Sequence, residues 1–371
     1  MEDICIGFIG FGLIGGSIAR ALKSKPTSNN QTLIAYNYHK GVPNKSLELA
    51  KQDGVLDEIV TDLATGFSNC DIIFLCAPVL NNIKYLKELK PILKPGCILT
   101  DVGSVKGNIC EAVHALGLDE YFIGGHPMAG TEKTGYEHSI VTLLENAYYV
   151  LTPTDQVAQE KVDCMVDLVK SVGAIPIILE ASYHDDVVSA ISHVPHIISA
   201  SLVNTVKEND DENETMRLLA AGGFKDITRI TSSSPIMWQN ICLTNQKSIL
   251  QFLNRYIEKL ETIKLYIEEQ NEEKLLSFFD EAKSYRDQIP NKSVGLIEKV
   301  HELYLDLMDE EGAIATVATI LATNHVSIKN IGIIHNREFE DGVLRLELYT
   351  KEGAIKAAKC LRNYNYTIYE R

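Results

Sequence analysis

The chain opens on an apolar stretch, 4-ICIGFIG-10, that runs directly into 11-FGLIGGSIARALKS-24. The first has the content of a buried strand and the second the 3.6-residue periodicity of a helix. Gly10, Gly12 and Gly15 stand between them in G-x-G-x-x-G spacing. A strand that turns straight into a helix commits the chain to a β–α unit, which buries its apolar faces only against further units of the same kind. In that setting Gly10 makes the tight turn, Gly12 lets a backbone approach a pyrophosphate, and Gly15 lets helix and strand pack closely. The helix N-terminus at Leu13 and Ile14 would then face the phosphates. The alternative is a glycine turn without a ligand.

Further candidate strands lie at 32-TLIAYN-37, 71-DIIFLCA-77, 97-CILTDVG-103, 121-YFIGG-125, 147-AYYVLTP-153 and 174-AIPIIL-179. With helical patterns between the early ones, they predict an α/β Rossmann-type fold, a doubly wound parallel sheet, over residues 1–180. From 181 the pattern turns helical, at 183–208, 212–223 and 233–287. Residues 236–270 contain neither Gly nor Pro, which predicts one long helix in an all-α domain, 181–290. Helices of that length pack on other long helices, often across a homodimer, an intrachain bundle being the alternative. The stretch 286-RDQIPNKSVG-295 reads as a linker. The tail, 296–371, reads as βαββαβ, a ferredoxin-like order, with a turn at 338–342.

The net charge of −15 argues against nucleic acid as a partner. Eight scattered cysteines without a CxxC pair read as reduced thiols of a cytoplasmic protein. No apolar run reaches the roughly 18 residues of a membrane span, and the N-terminus enters a strand at once, unlike a signal peptide.

Two loops follow strand ends on the edge where doubly wound sheets bind ligands, 101-DVGSVK-106 and 124-GGHPMAG-130. Ala77 and Pro78 end another strand on that edge. Ser104 and His126 would meet beside a nicotinamide, the imidazole taking a proton and the hydroxyl orienting it. Asn37 stands at the end of the second strand, where an acidic residue often binds the adenosine ribose. It suits NAD and leaves NADP open. In 222-GGFKDITRI-230, Lys225 and Arg229 fall at i,i+4 on one helical face, suited to carboxylates. The cluster His184, Asp185, Asp186, His193 and His196 lacks metal-ligand spacing, and no metal is expected.

The set GxGLIGGS, DVGSVK, GGHPMAGTEKTG, SHVPH and GGFKDITRI with SPIMW resembles the prephenate dehydrogenases, in the family's order over about residues 4–290. The tail resembles ACT regulatory domains. The resemblance implies oxidative decarboxylation of prephenate to 4-hydroxyphenylpyruvate in tyrosine biosynthesis, with His126 taking the hydrogen bond of the ring hydroxyl and Ser104 supporting it. It further implies Arg229 and His196 at the substrate, Thr131, Glu132 and Trp238 lining the pocket, and a minor part for Ser192. Pro195 should kink its helix, and His193 reads as a satisfied core histidine. In the tail the resemblance implies an amino-acid effector, tyrosine, near Glu311 and Gly312 with Asn324 and Ile328 opposite. Rival readings are an arogenate dehydrogenase, a Rossmann-plus-helical dehydrogenase of 3-hydroxy acids, and a catalytically silent sensor of dinucleotide and amino acid.

Overall fold

The computed structural model describes residues 4–24, 31–39, 42–130, 133–289, 301–307, 310–334 and 342–370. They divide into two compact units, Met1–Gly295 and Leu296–Arg371.

The first unit is built on strands β1 (Ile4–Ile9), β2 (Gln31–Tyr36), β5 (Glu58–Ile59), β6 (Ile72–Leu75), β7 (Ile98–Asp101), β8 (Phe122–Pro127), β9 (Tyr148–Pro153) and β10 (Ile175–Ile178), with β3 (Tyr38–His39) and β4 (Val42–Pro43) forming a separate small ladder. The large sheet has the order β10-β9-β8-β7-β6-β1-β2-β5. Its central strands are buried on both faces, which is why they read as unbroken apolar runs. Phe8 and Phe74 stack at 5.2 Å on one face, while Ile9 and Leu75, one residue on, enter the core of the other. Each such side chain contributes about 1.5–3 kcal/mol through burial.

The predicted all-parallel sheet is corrected at one pair. β8 and β9 are antiparallel, with His126 opposite Val150, and β10 then pairs parallel to β9. Among the described residues the connection between β8 and β9 has only a short 3-10 turn at Tyr136–His138, and neighbours joined without a crossover helix pair antiparallel.

The helical part differs from its prediction in its longest helix. The 236–270 segment is two helices, Pro235–Thr244 and Gln246–Glu268, broken at Asn245. The buried Asn245 amide reaches the Asp185 carbonyl, Ser189 and His193, and these contacts outweigh continued helix. Pro195 follows a turn at which the helix widens. A π-helical turn, Ser189–His193, joins Ala181–Val188 to Val194–Asn209, and Val194 N–H donates to the Ser189 carbonyl. The wider turn accommodates the donor that proline lacks. By length and composition these 29 residues could cross a bilayer, with a mean hydropathy of 1.3 over their most apolar window. Here, however, they carry buried His184, Asp185, His193 and His196 and pack on the helix Gln246–Glu268.

The second unit has β11 (His301–Leu307), β12 (Ile328–Ile334), β13 (Gly342–Leu348) and β14 (Ile368–Glu370) in the antiparallel order β12-β13-β11-β14, with helices Ala313–Thr323 and Lys351–Asn363. This is the ferredoxin-like arrangement of ACT domains. Leu303, Leu305, Leu344 and Leu346 face its core at period two. Of the expected turn at 338–342, residues 338–341 lie outside the described residues, as do linker residues 290–295.

Two glycines test the first turn. Gly10 and Gly96 share φ +85°, but a Cβ on Gly10 would lie 2.7 Å from the Ala77 amide nitrogen while one on Gly96 meets nothing within 4 Å. Gly96→Ala should cost about 1–2 kcal/mol of left-handed strain, and Gly10→Ala at least about 1 kcal/mol more through the clash. Urea midpoints that match for the two variants would remove the steric role of Gly10.

Candidate functional site

A cavity of about 520 Å³ opens at the carboxyl ends of β1, β2 and β6, lined by Gly10, Gly12, Asn37, Ala77, Pro78 and Glu137 among others. Gly12 faces open space, so backbone is presented to the cavity there. Leu13 and Ile14 form the first turn of the helix Leu13–Lys23, offering main-chain N–H groups, but the Ile14 side chain packs against the core. A Cβ on Gly15 would lie 3.1 Å from the Gly10 carbonyl oxygen, so strand and helix are in close contact. Asn37 Nδ2 donates to Ser46 Oγ at 3.1 Å. Tyr136, absent from the sequence-based candidates, also lines the cavity; its hydroxyl donates to Asp53, and Arg20 lies over its ring at 4.5 Å while pairing with the same carboxylate. This shape and donor set fit a dinucleotide.

His126 lies within strand β8 and not on the loop expected after it, and the loop that carries Ser104 is tied to that strand through contacts the sequence did not reveal. Lys106 and Asp101 form an ion pair with both side chains 0% exposed. Lys106 Nζ also donates to the Gly125 carbonyl at 2.7 Å. Asp101 accepts from Gly125 N–H at 3.1 Å and Gly103 N–H at 2.9 Å. The serine loop and strand β8 are thus tied at the residue before His126.

His126 Nδ1 lies 2.8 Å from His184 Nε2, and His184 Nδ1 lies 2.8 Å from Asp185 Oδ1. The Asp185 carboxylate also accepts from Lys106 N–H at 2.8 Å and Gly107 N–H at 2.7 Å, at the start of the helix Gly107–Leu116. Burial, then His184, Lys106 and His193, hold His126 well below the usual imidazole range, so the ring is neutral. A neutral imidazole on this edge can accept a proton from a ligand. The partner of Nδ1 is His184, not Ser104. Ser104 lines a second cavity of about 540 Å³ with Gly103, Ser234, Met237 and Asn240, adjoining the first at Ala77, Pro78 and Asn81.

A third group lies beyond. The His196 ring stacks on Trp238 at 3.5 Å and 14°, and His193 meets the same indole edge-on at 6.1 Å. Trp238 Nε1 donates to Ser233 Oγ at 2.8 Å, with His196 Nε2 at 3.3 Å from the same oxygen. His193 is the buried, satisfied histidine expected, bonded through Nδ1 to Asn245 at 3.2 Å. Ser192 is half-buried on the neighbouring π turn. Lys225 is exposed on the helix Gly222–Thr228, whereas Arg229, also exposed, begins the 3-10 turn Arg229–Ser232, so the two do not share one helix. Thr131 and Glu132 lie outside the described residues.

In the second unit, Gly312 caps the helix Ala313–Thr323 at φ +86°, and Glu311 lines a cavity of about 410 Å³ with Asp306, Glu310 and Tyr364–Thr367. Ile328 borders a different cavity, of about 870 Å³, and Asn324 lines neither, bonding instead to the Ile320 carbonyl. The residues expected to share one surface therefore do not line one cavity.

His184 and Asp185 entered the sequence reading only as metal candidates. Their role was invisible because the partners lie 58 and 78–79 residues away. The adjacent His-Asp pair inside an apolar helix was the available signal.

The buried histidines set an acid limit. Burial pushes His193 down to about 4, whereas in the unfolded chain it takes its proton near pH 6.5. Between those values the unfolded state binds more protons, so stability must fall as the pH drops. By pH 4 His193 alone removes about 3 kcal/mol. Urea midpoints measured from pH 7 to 4.5 should decline, and less steeply in His193→Gln; equal slopes would discount the residue.

A model of the prephenate dehydrogenase nucleotide-binding domain matches residues 18–178, and one of the prephenate dehydrogenase dimerization domain matches 180–281. The prephenate dehydrogenase of Bacillus subtilis is 35% identical over 363 residues, covering 97% of this chain and 96% of its own. The crystal structure of prephenate dehydrogenase from A. aeolicus, in complex with hydroxyphenyl propionate and NAD+, is 30% identical with a TM-score of 0.72, covering 78% of this chain and 99% of its own. Synechocystis arogenate dehydrogenase is 31% identical with a TM-score of 0.69, covering 77% and 100%. A glycine-turn cavity, a neutral imidazole on the adjoining sheet edge and this likeness over nearly the whole chain agree: the chain belongs to the prephenate dehydrogenase family.

Proposed function

We propose that the protein converts prephenate to 4-hydroxyphenylpyruvate and CO₂, with NAD as hydride acceptor. The observation that carries this reading is the neutral His126, held through Nδ1 beside the cavity-bearing sheet edge. Bound at the glycine turn, NAD supplies the acceptor for a hydride from ring C4. His126 Nε2 accepts the C4 hydroxyl hydrogen and draws off its proton as the hydride departs. The electrons of the bond from the ring to its carboxylate then complete the aromatic ring, and the phenol oxygen recovers a proton. Ser104 stands on the adjoining cavity to orient the reacting groups. Arg229 and Lys225 offer cations to the substrate carboxylates, while His196 and Trp238 form an aromatic wall.

The first cavity favours NAD. Asn37 and Ser46 line it as ribose partners, no Lys or Arg lines it among the described residues, and Glu137 would repel a 2′-phosphate. The likeness to Synechocystis arogenate dehydrogenase sustains a second reading, arogenate as substrate. Following reduced nicotinamide with each substrate against each cofactor separates these, prephenate with NAD being the expected best pair.

The helices Gln246–Glu268 and Glu272–Gln288 expose Leu250, Ile257, Leu260, Leu276 and Phe279, a face suited to pairing two copies as a homodimer. The eight free cysteines suit the reducing cytoplasm. Tyrosine is the proposed effector. In the 410 Å³ cavity the start of the helix Ala313–Thr323 can receive its carboxylate, and Asp306, Glu310 and Glu311 its ammonium group.

His126→Asn should lose on the order of 10²–10⁴ in kcat with KM little changed, and Arg229→Ala should raise KM at least about tenfold with a smaller loss of kcat. Near-normal turnover, or an unchanged KM, would withdraw the respective role. Tyrosine should inhibit the full chain but not a chain ending at Gly295; inhibition that survives truncation would move tyrosine to the active site.

A further inference from the structure

We propose that His184 and Asp185 are positioning residues that fix the tautomer of His126, so that its Nε2 meets the substrate as a lone pair and not as an N–H donor. The inference deepens the assignment of His126 as proton acceptor and rests on it.

The argument follows the direction of each hydrogen bond. The Asp185 carboxylate has no proton to give and accepts at 2.8 Å from the ring nitrogen it faces, so His184 Nδ1 carries the hydrogen. A His184 ring that carries this one hydrogen leaves Nε2 as an acceptor, and at 2.8 Å the His126 nitrogen facing it is then the donor. His126 therefore holds its hydrogen on Nδ1, which leaves Nε2 as the acceptor, and no described residue bonds to Nε2. A free histidine favours the opposite tautomer, with hydrogen on Nε2, which would offer the ring hydroxyl a donor where an acceptor is required.

The far end of the chain is anchored so that the order cannot reverse by rotation. Asp185 Oδ1 and Oδ2 are held by the Lys106 and Gly107 amides at 2.8 and 2.7 Å, at the N-terminus of a ten-residue helix that favours a carboxylate. The Asp185 carbonyl is held by Asn245 Nδ2 at 3.0 Å. His184 is fully buried and meets His126 ring edge to face at 5.1 Å. The other titratable groups bearing on His126 are Lys106 and His193. Lys106 is occupied by Asp101 and the Gly125 carbonyl, and His193 by Asn245, so neither competes for His126 Nδ1.

The test combines imidazole ¹⁵N NMR of the full-length protein with steady-state kinetics, the His126 signals being assigned by their loss in His126→Asn. Wild-type His126 should show a protonated Nδ1 and an unprotonated Nε2. His184→Phe removes the acceptor and should shift His126 toward the Nε2-protonated form. It should lower kcat on the order of 10²–10⁴-fold, the contribution of a positioned general base, approaching the roughly 10⁴ lost when a buried partner no longer sets a catalytic imidazole's tautomer, with KM and NAD binding little changed. His184→Gln, whose side-chain oxygen can accept from Nδ1, should recover kcat to within about tenfold of wild type. A wild-type His126 protonated on Nε2, or a His184→Phe enzyme with unchanged tautomer and turnover, overturns the proposal. Should His184→Phe fail to fold, the wild-type spectrum decides alone. The spectrum is read without turnover, so an active His126→Asn enzyme would defeat the proton-acceptor assignment while the tautomer is judged separately.

Discussion

The site depends on the buried ion pair between Lys106 and Asp101. Two charges removed from water are tolerable only when every remaining donor and acceptor is met. Here two glycines supply main-chain partners, Gly103 through its amide and Gly125 through both amide and carbonyl. Removing either partner would leave an uncompensated buried charge, a loss of about 3–5 kcal/mol. The pair therefore clamps the main chain on each side of the sheet edge and fixes where His126 begins.

Asp185 continues that clamp into the helical part. One carboxylate serves the start of the helix Gly107–Leu116, and through His184 it reaches the His126 ring. Sheet and helices are thus joined by polar contacts at the point where the chemistry is proposed, with Asn245 bracing the same junction through the Asp185 carbonyl and Ser189. In a low-dielectric interior such a network holds direction as well as distance, because each hydrogen has one acceptor placed to receive it.

Much of the fold was legible because its signals are local. The seven strands read from the first half each lie within three residues of an observed one, since strands buried on both faces must be apolar throughout. The tail was legible for a related reason, alternate leucines facing one core. The two-residue strands β3, β4 and β5 were missed, being too short to carry a period. The direction of β9 and the break at Asn245 escaped for a different reason. Both are decided by what the segment packs against, and nothing in 236–270 itself opposes one long helix.

The sequence by itself determined the β–α opening and its glycine turn, the switch to helices near 181, the ferredoxin-like tail, and the loop that carries Ser104. These follow from residue type and spacing within a few turns of chain. Only the tertiary structure decided which groups touch: His184 as the partner of His126, Asp185 as a cap on a helix 78 residues away, and Lys106 buried against Asp101 and Gly125. Hydrogen-bond partners are chosen by proximity in three dimensions, and the linear order carries no record of how far apart two polar groups will end.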